Sequence, residues 1–160
     1  MSKAFTSEEQ PDEAPLVRAP TRLAPGELRY VTPEGHAALR AELARVESDR
    51  AGADPGRAEA FARRAALLEA TLGTLTVLSP DAAPEGRVGF GTWVTVEDTG
   101  GARTTWRIVG PDEADARRGL VSVAAPVARA LLGREVGDAV EVNRPGGRAE
   151  LTVVDVRRRP

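Results

Sequence analysis

The chain has 160 residues, 41% of them hydrophobic and 29% charged, which suits one domain of ordinary size, or a compact domain with a helical appendage, and excludes wholesale disorder. A net charge of −2, from 22 Lys and Arg against 24 Asp and Glu, speaks against sequence-independent wrapping of duplex DNA as the main task. The absence of cysteine removes disulfides, thiolate nucleophiles and thiolate zinc sites, and a single histidine, His36, is too few for an imidazole metal cage or a Ser-His-Asp triad.

Residues 1–28 carry Pro11, Pro15, Pro20 and Pro25, mixed charge and no steady period, the pattern of a flexible Pro-rich tail. The opening MSKAFTSEEQ lacks the basic-then-apolar plan of a signal peptide, and no apolar run approaches the ~20 residues of a membrane span; a cytoplasmic protein without cofactor or membrane is expected. Order is predicted from Tyr30. Thr32 suits an N-cap, Pro33 the first helical position, and Glu34 the positive end of the helix. Leu39, Leu43 and Val46 recur at spacings of four and three, with Arg40, Glu42, Arg45, Glu47 and Asp49 opposite.

The segment Ala51-Gly52-Ala53-Asp54-Pro55-Gly56 stops that helix, and Asp54 followed by Pro55 begins another. Phe61, Ala65, Leu68, Leu72 and Leu75 continue the seam on the second helix. Two matching seams and a six-residue connection predict an antiparallel coiled-coil hairpin over 29–78, too small to stand alone. Residues 79–84, Ser-Pro-Asp-Ala-Ala-Pro, read as a linker.

From residue 85 the period changes to that of strands. Short runs around Val88 and Phe90 and at Trp93–Val96, Thr104–Val109, Leu120–Val123, Ala139–Val142 and Leu151–Val156 alternate or run apolar. Asp98-Thr99-Gly100-Gly101 and Pro145-Gly146-Gly147 are turn signals, and one short helix, Pro126–Leu132, interrupts the strands before Gly133. The fold class is therefore α+β: a helical hairpin followed, over 85–160, by an antiparallel sheet with one helix on a face.

The chemistry-bearing residues are few. Gly89-Phe90-Gly91 is no dinucleotide loop, because no helix follows it. His36, at the start of the first helix, suits a structural role better than that of a lone base. Arginine outnumbers the only lysine, Lys3, and Arg57, Arg63 and Arg64 suit a solvated helix face better than a nucleic-acid contact. Asp49, Asp54 and Glu59 gather near the hairpin tip, where carboxylates suit magnesium. The competing reading is structural, with Asp54 as a cap and Glu59 complementing the start of its own helix.

Several motifs in order carry a family resemblance. Tyr30-Val31-Thr32-Pro33-Glu34-Gly35-His36-Ala37-Ala38-Leu39, Glu85-Gly86-Arg87-Val88-Gly89-Phe90-Gly91-Thr92-Trp93-Val94, Trp106-Arg107-Ile108-Val109-Gly110-Pro111-Asp112-Glu113-Ala114, Ser122 to Pro126, Ala128-Arg129-Ala130-Leu131-Leu132-Gly133 and Val136-Gly137-Asp138 resemble the Gre-type transcript cleavage factors of bacterial RNA polymerase, the GreB-like branch above all. The resemblance spans about residues 29–157. It implies an antiparallel coiled coil joined to an FKBP-like domain. It also implies a monomer that docks by that domain at the rim of the polymerase secondary channel, with the segment Ser122, Ala124, Ala125, Pro126 and Arg129 as the contact. In cleavage-competent members, acidic tip residues help hold a second magnesium ion in the polymerase, so the factor has no active site of its own.

The sequence departs from the family at the tip. A Gly-Asp-Arg-Ser-Glu-Asn-Ala-like motif is replaced by Ala51-Gly52-Ala53-Asp54-Pro55-Gly56-Arg57. Each arm is shorter than the family's by about eleven residues, roughly 16 Å of reach at 1.5 Å per residue. Ala124-Ala125 stands where the family tends to show an acidic or polar pair. The resemblance therefore implies a polymerase-binding regulator that does not stimulate cleavage. The alternatives are a cleavage factor using Asp49, Asp54 or Glu59, and an FKBP-like interaction module with another partner; peptidyl-prolyl isomerase activity does not follow from the fold.

Overall fold

The computed structural model describes residues 28–160; the expected tail, apart from Leu28, lies outside the described residues. The fold class is α+β, with two bodies of structure joined by a compact polar contact.

The first body opens on strand β1 (Arg29–Val31) and helix α1 (Pro33–Ala51). Thr32 caps α1 with extended backbone, and its side chain accepts from the Gly35 N–H at 3.0 Å. Helix α2 (Pro55–Leu72) starts with Asp54 accepting from the Arg57 N–H at 3.1 Å. Pro33 and Pro55 occupy first-turn positions where no backbone donor is lost. The helices double back on each other: Val46, Ala65 and Leu68 are buried between them, with Leu39, Leu43 and Phe61 packed alongside, and Arg64 reaches across to Glu42.

Two expectations need correction in this body. The connection between the helices is the three residues Gly52–Asp54 rather than six, because Ala51 is still helical and Pro55 already is. Leu75 is not on the helical seam: Gly73 closes α2, and Leu75–Val77 forms strand β2, which pairs in parallel with β1. The parallel pair is possible because the two helices together form the crossover between its strands.

The expected linker, 79–84, includes regular structure. Pro80–Ala82 is a turn of 3₁₀ helix that Ser79 begins by accepting from the Asp81 N–H, and Pro80 is buried. The second body is a five-stranded sheet of β3 (Trp93–Asp98), β4 (Arg103–Val109), β5 (Leu120–Ser122), β6 (Ala139–Arg144) and β7 (Gly147–Arg157), in the spatial order β5-β4-β3-β7-β6. The short helix α3 (Pro126–Leu131) packs on it.

The sheet is mixed rather than wholly antiparallel, since β5 runs parallel to β4. The chain between them, including a 3₁₀ turn at Ala116–Arg118, carries β5 round to the same direction. Val88 and Phe90 lie outside the strands; the only pairing there is a bridge from Arg87 to Glu135. Alternation in β3, β6 and β7 directs Val94, Val96, Val140, Val142, Leu151 and Val153 to one face, where Ile108, Val88, Ala128 and Leu131 complete the core. The aliphatic composition is sufficient because sheet and helix supply two packed layers.

Candidate functional site

Three places on this frame hold the candidate residues or the densest polar contacts: the turn between α1 and α2, the segment leading into α3, and the contact between the two bodies.

At the turn, two of the three acidic residues are already engaged. Asp54 is exposed and spends one carboxylate oxygen capping α2. Glu59, one turn further on, pairs with Arg63 at 2.6 Å, both side chains about 70% exposed. Asp49 is exposed on the last turns of α1. Among the described residues, no group of three or more His, Asp and Glu gathers so as to hold a metal ion. Magnesium is commonly held by one or two carboxylates, with waters or phosphates completing its octahedron; here Asp54 and Glu59 each already bond to a neighbour on their own helix. Of the arginines here, Arg63 and Arg64 are paired with Glu59 and Glu42, while Arg57 is exposed.

The second place runs from the end of β5 into α3. Ser122, half-buried, accepts from the Ala124 N–H at 3.2 Å, and its carbonyl accepts from the Ala125 N–H at 2.8 Å. Ala124, Pro126 and Arg129 are exposed, whereas Ala128 and Leu131 are wholly buried beneath them. The same short helix thus anchors in the core through Ala128 and Leu131, with Val127 and Ala130 partly buried against it, and offers Pro126 and Arg129 to solvent. Ala125 stands at the N-cap and makes no side-chain hydrogen bond there, so the first turn of α3 lacks the acceptor that Asp54 and Thr32 give to the longer helices.

The third place was not foreseen as a site. Arg29, only 4% exposed, forms a bidentate pair with Asp112. Glu113 accepts from the Thr32 N–H at 2.9 Å and the Gly110 N–H at 3.1 Å through Oε2, and from the Thr32 hydroxyl through Oε1. Arg107 donates to the Gly91 carbonyl at 3.0 Å and to Glu34 at 3.0 Å, and its guanidinium lies 5.6 Å from the centre of the Trp93 ring. Tyr30 meets Phe90 with ring centres 6.0 Å apart. Two glycines allow this closeness. A Cβ on Gly35 would fall 1.9 Å from Glu113 Oε1, and one on Gly110 would fall 2.1 Å from the Tyr30 carbonyl oxygen. Glu34 is held below the usual glutamate range chiefly by its own backbone N–H at the helix start, which outweighs the opposing effect of burial, with Arg107 adding to the lowering.

The joint brings together two motifs of the sequence: residues 30–35 and 106–113 are the two halves of one contact. A glycine in the first turn of a helix was the legible signal, since glycine is costly there unless something must come close. His36 lies beside this turn on an open groove with Arg40, Leu43, Glu47 and Glu69.

The comparisons with known proteins agree with these motifs. Residues 83–158 match the family model described as the C-terminal part of the transcription elongation factors GreA and GreB. The chain is 36% identical to the transcription elongation factor GreB of Pseudomonas aeruginosa, over 81% of this chain and 90% of that one. It is 42% identical to GreB of Yersinia pestis over 61% of this chain, and 47% identical to GreA of Alkalilimnicola ehrlichii over 56% of it. Those two matches span 57% and 58% of the relatives' own length. Among solved structures, that of GreA factor homolog 1 of Thermus thermophilus is similar over 82% of this chain and 99% of that one, at 26% identity and a TM-score of 0.42. The chain belongs to the GreA/GreB family of transcription elongation factors.

Proposed function

We propose that this chain is a Gre-type regulator that docks at the rim of the RNA polymerase secondary channel and does not stimulate transcript cleavage. In this reading residues 85–160 form an FKBP-like docking domain, and 29–78 form a shortened antiparallel coiled coil that enters the channel. Ser122, Ala124, Ala125, Pro126 and Arg129 form the polymerase contact, and Asp49, Asp54 and Glu59 mark the tip.

The observation that carries this reading is the state of the tip: Asp54 is occupied as a helix cap, Glu59 is paired with Arg63, and the three carboxylates do not gather as a group that could hold a metal ion. Length supports it as well. The 19 residues of α1 extend about 28 Å. The match to Pseudomonas aeruginosa GreB runs over 155 aligned positions yet occupies 81% of this 160-residue chain, which leaves roughly 25 positions of that relative without a counterpart; shared between the two arms of a hairpin, these would shorten its reach by about three and a half turns. A magnesium ligand has to sit within about 2.1 Å of the ion, so a deficit of several turns cannot be made up by side-chain motion.

The deciding experiment adds the full chain to a backtracked elongation complex of core polymerase alongside a cleavage-competent Gre factor. Binding to polymerase, no release of short RNA, and displacement of the competent factor are expected. Stimulated cleavage that disappears in Asp54→Ala would overturn the reading in favour of a rearranged acidic tip. Failure to bind polymerase at all would favour an interaction module with another partner.

A further inference from the structure

We propose that Glu113 is a positioning residue: its carboxylate clasps the first turn of α1 to the end of β4 and so fixes the direction in which the helix pair leaves the sheet. The consequence for polymerase rests on the docking reading above; the geometry does not.

Three hydrogen bonds converge on this one carboxylate from two parts of the chain. The Gly110 N–H belongs to the segment leaving β4, while the Thr32 N–H and hydroxyl belong to the start of α1, 81 residues away in sequence. The Thr32 hydroxyl gives its proton to Glu113 and keeps its oxygen for the Gly35 N–H at 3.0 Å. Glu113 therefore orients the N-cap of α1 as well as tethering it. Hydrogen bonds to a charged acceptor are the stronger kind, and a half-buried carboxylate leaves them little competition from water. Gly35 completes the fit, because any side chain there would occupy the space of the carboxylate. Arg107 holds Glu34, the next helical position but one after Thr32, from the neighbouring strand, and Arg29 holds β1 to Asp112.

Leverage makes the clasp matter. A tilt of about 10° at the base of a helix some 28 Å long displaces its far end by about 5 Å, several times the tolerance of a specific polar contact. A shortened arm has less surface with which to correct such an error after docking.

The chain has no cysteine, so Ser48→Cys on exposed α1 and Thr104→Cys on exposed β4 provide a pair of spin labels across the joint. Pulsed electron paramagnetic resonance should give a single narrow distance in this background. Glu113→Ala should lose it for a broad distribution, and Glu113→Asp, one methylene too short to span both halves, should behave in the same way. Glu113→Gln should restore the narrow distance. Its amide oxygen can accept from both backbone N–H groups, and its NH₂ can donate to the Thr32 hydroxyl oxygen. That rescue separates a directional clasp from a general loss of stability.

An unchanged narrow distance in folded Glu113→Ala would overturn the proposal. Should that variant not fold, Gly35→Ala tests the clasp from the opposite side by displacing the carboxylate, and a narrow distance there would overturn it equally. With core polymerase, Glu113→Ala should retain binding but lose the ability to displace a competent factor from the channel. Broadened distances with displacement intact would refute the functional consequence. Absence of binding by the parent chain would refute the docking reading and leave the clasp to the distance measurement alone.

Discussion

The joint between the two bodies and the far end of the helix pair use the same residue types in opposite ways. At the joint, Arg29, Asp112, Glu113 and Arg107 each bond to a group far away in sequence, and Arg29 is almost wholly buried. At the turn, Asp54 and Glu59 bond to groups three and four residues away and stay in water. The first arrangement fixes where one body points relative to the other; the second only completes two helices. Acidic residues near a hairpin tip suggest chemistry when read from sequence, yet the acidic groups Glu34, Asp112 and Glu113, whose partners lie across the joint in the other body, sit at the base. The tip is built as an end and the base as a mount.

The sharpest way to break that contrast is to remove one partner from each place. Asp112→Ala leaves the Arg29 guanidinium buried without its anion, and should lower unfolding free energy by about 3–5 kcal/mol in urea titration. A paired replacement such as Arg29→Met with Asp112→Leu should recover most of that loss, because a matched apolar pair avoids the desolvation cost. Gly110→Ala should come next, at about 1–3 kcal/mol, because its methyl meets the backbone oxygen of Tyr30, which cannot swing aside as a side chain can. At the tip, Asp54→Ala should cost only about 1 kcal/mol, the ordinary value of an N-cap. Conversely, Ala125→Ser supplies α3 with the acceptor it lacks and should raise thermal stability by about 0.5–1 kcal/mol. A loss at Asp54 comparable to that at Asp112 would show that the two regions do not differ in kind.

The legible parts of the fold are those decided within a few residues. Thr32-Pro33 and Asp54-Pro55 announced two helix starts, Leu39, Leu43, Val46, Phe61, Ala65 and Leu68 announced the packed seam, and alternation located the long strands. What local pattern could not decide was pairing at a distance. The strand β2 looked like the tail of a helical seam because Leu75 keeps the spacing, and only its partner β1, on the far side of both helices, makes it a strand. The direction of β5 depends on the path of the preceding loop rather than on its own three residues. The same holds for the site. Ser122 to Arg129 and the acidic tip were visible as motifs, whereas the joint was hidden because its halves lie about 80 residues apart and neither makes sense alone.

The smallest effect sharpens the contrast most finely, since it concerns an exposed carboxylate belonging to the joint. Glu34 is 66% exposed at its side chain, yet it is held below the ordinary glutamate value of 4.5 by the helix-start N–H and by Arg107. The unfolded chain therefore binds a proton at Glu34 more readily than the folded one. The ionised group adds stability above that ordinary value, and the addition is lost as pH falls through the lower folded value. Glu34→Gln should leave the fold intact, lower the melting temperature slightly at neutral pH, and flatten the acid limb of a melting-temperature profile taken at low salt. In high salt the parent and variant profiles should draw together, because an exposed pair is readily screened. An acid limb of unchanged slope in the variant would mean that neither the helix-start N–H nor Arg107 favours the ionised Glu34 carboxylate.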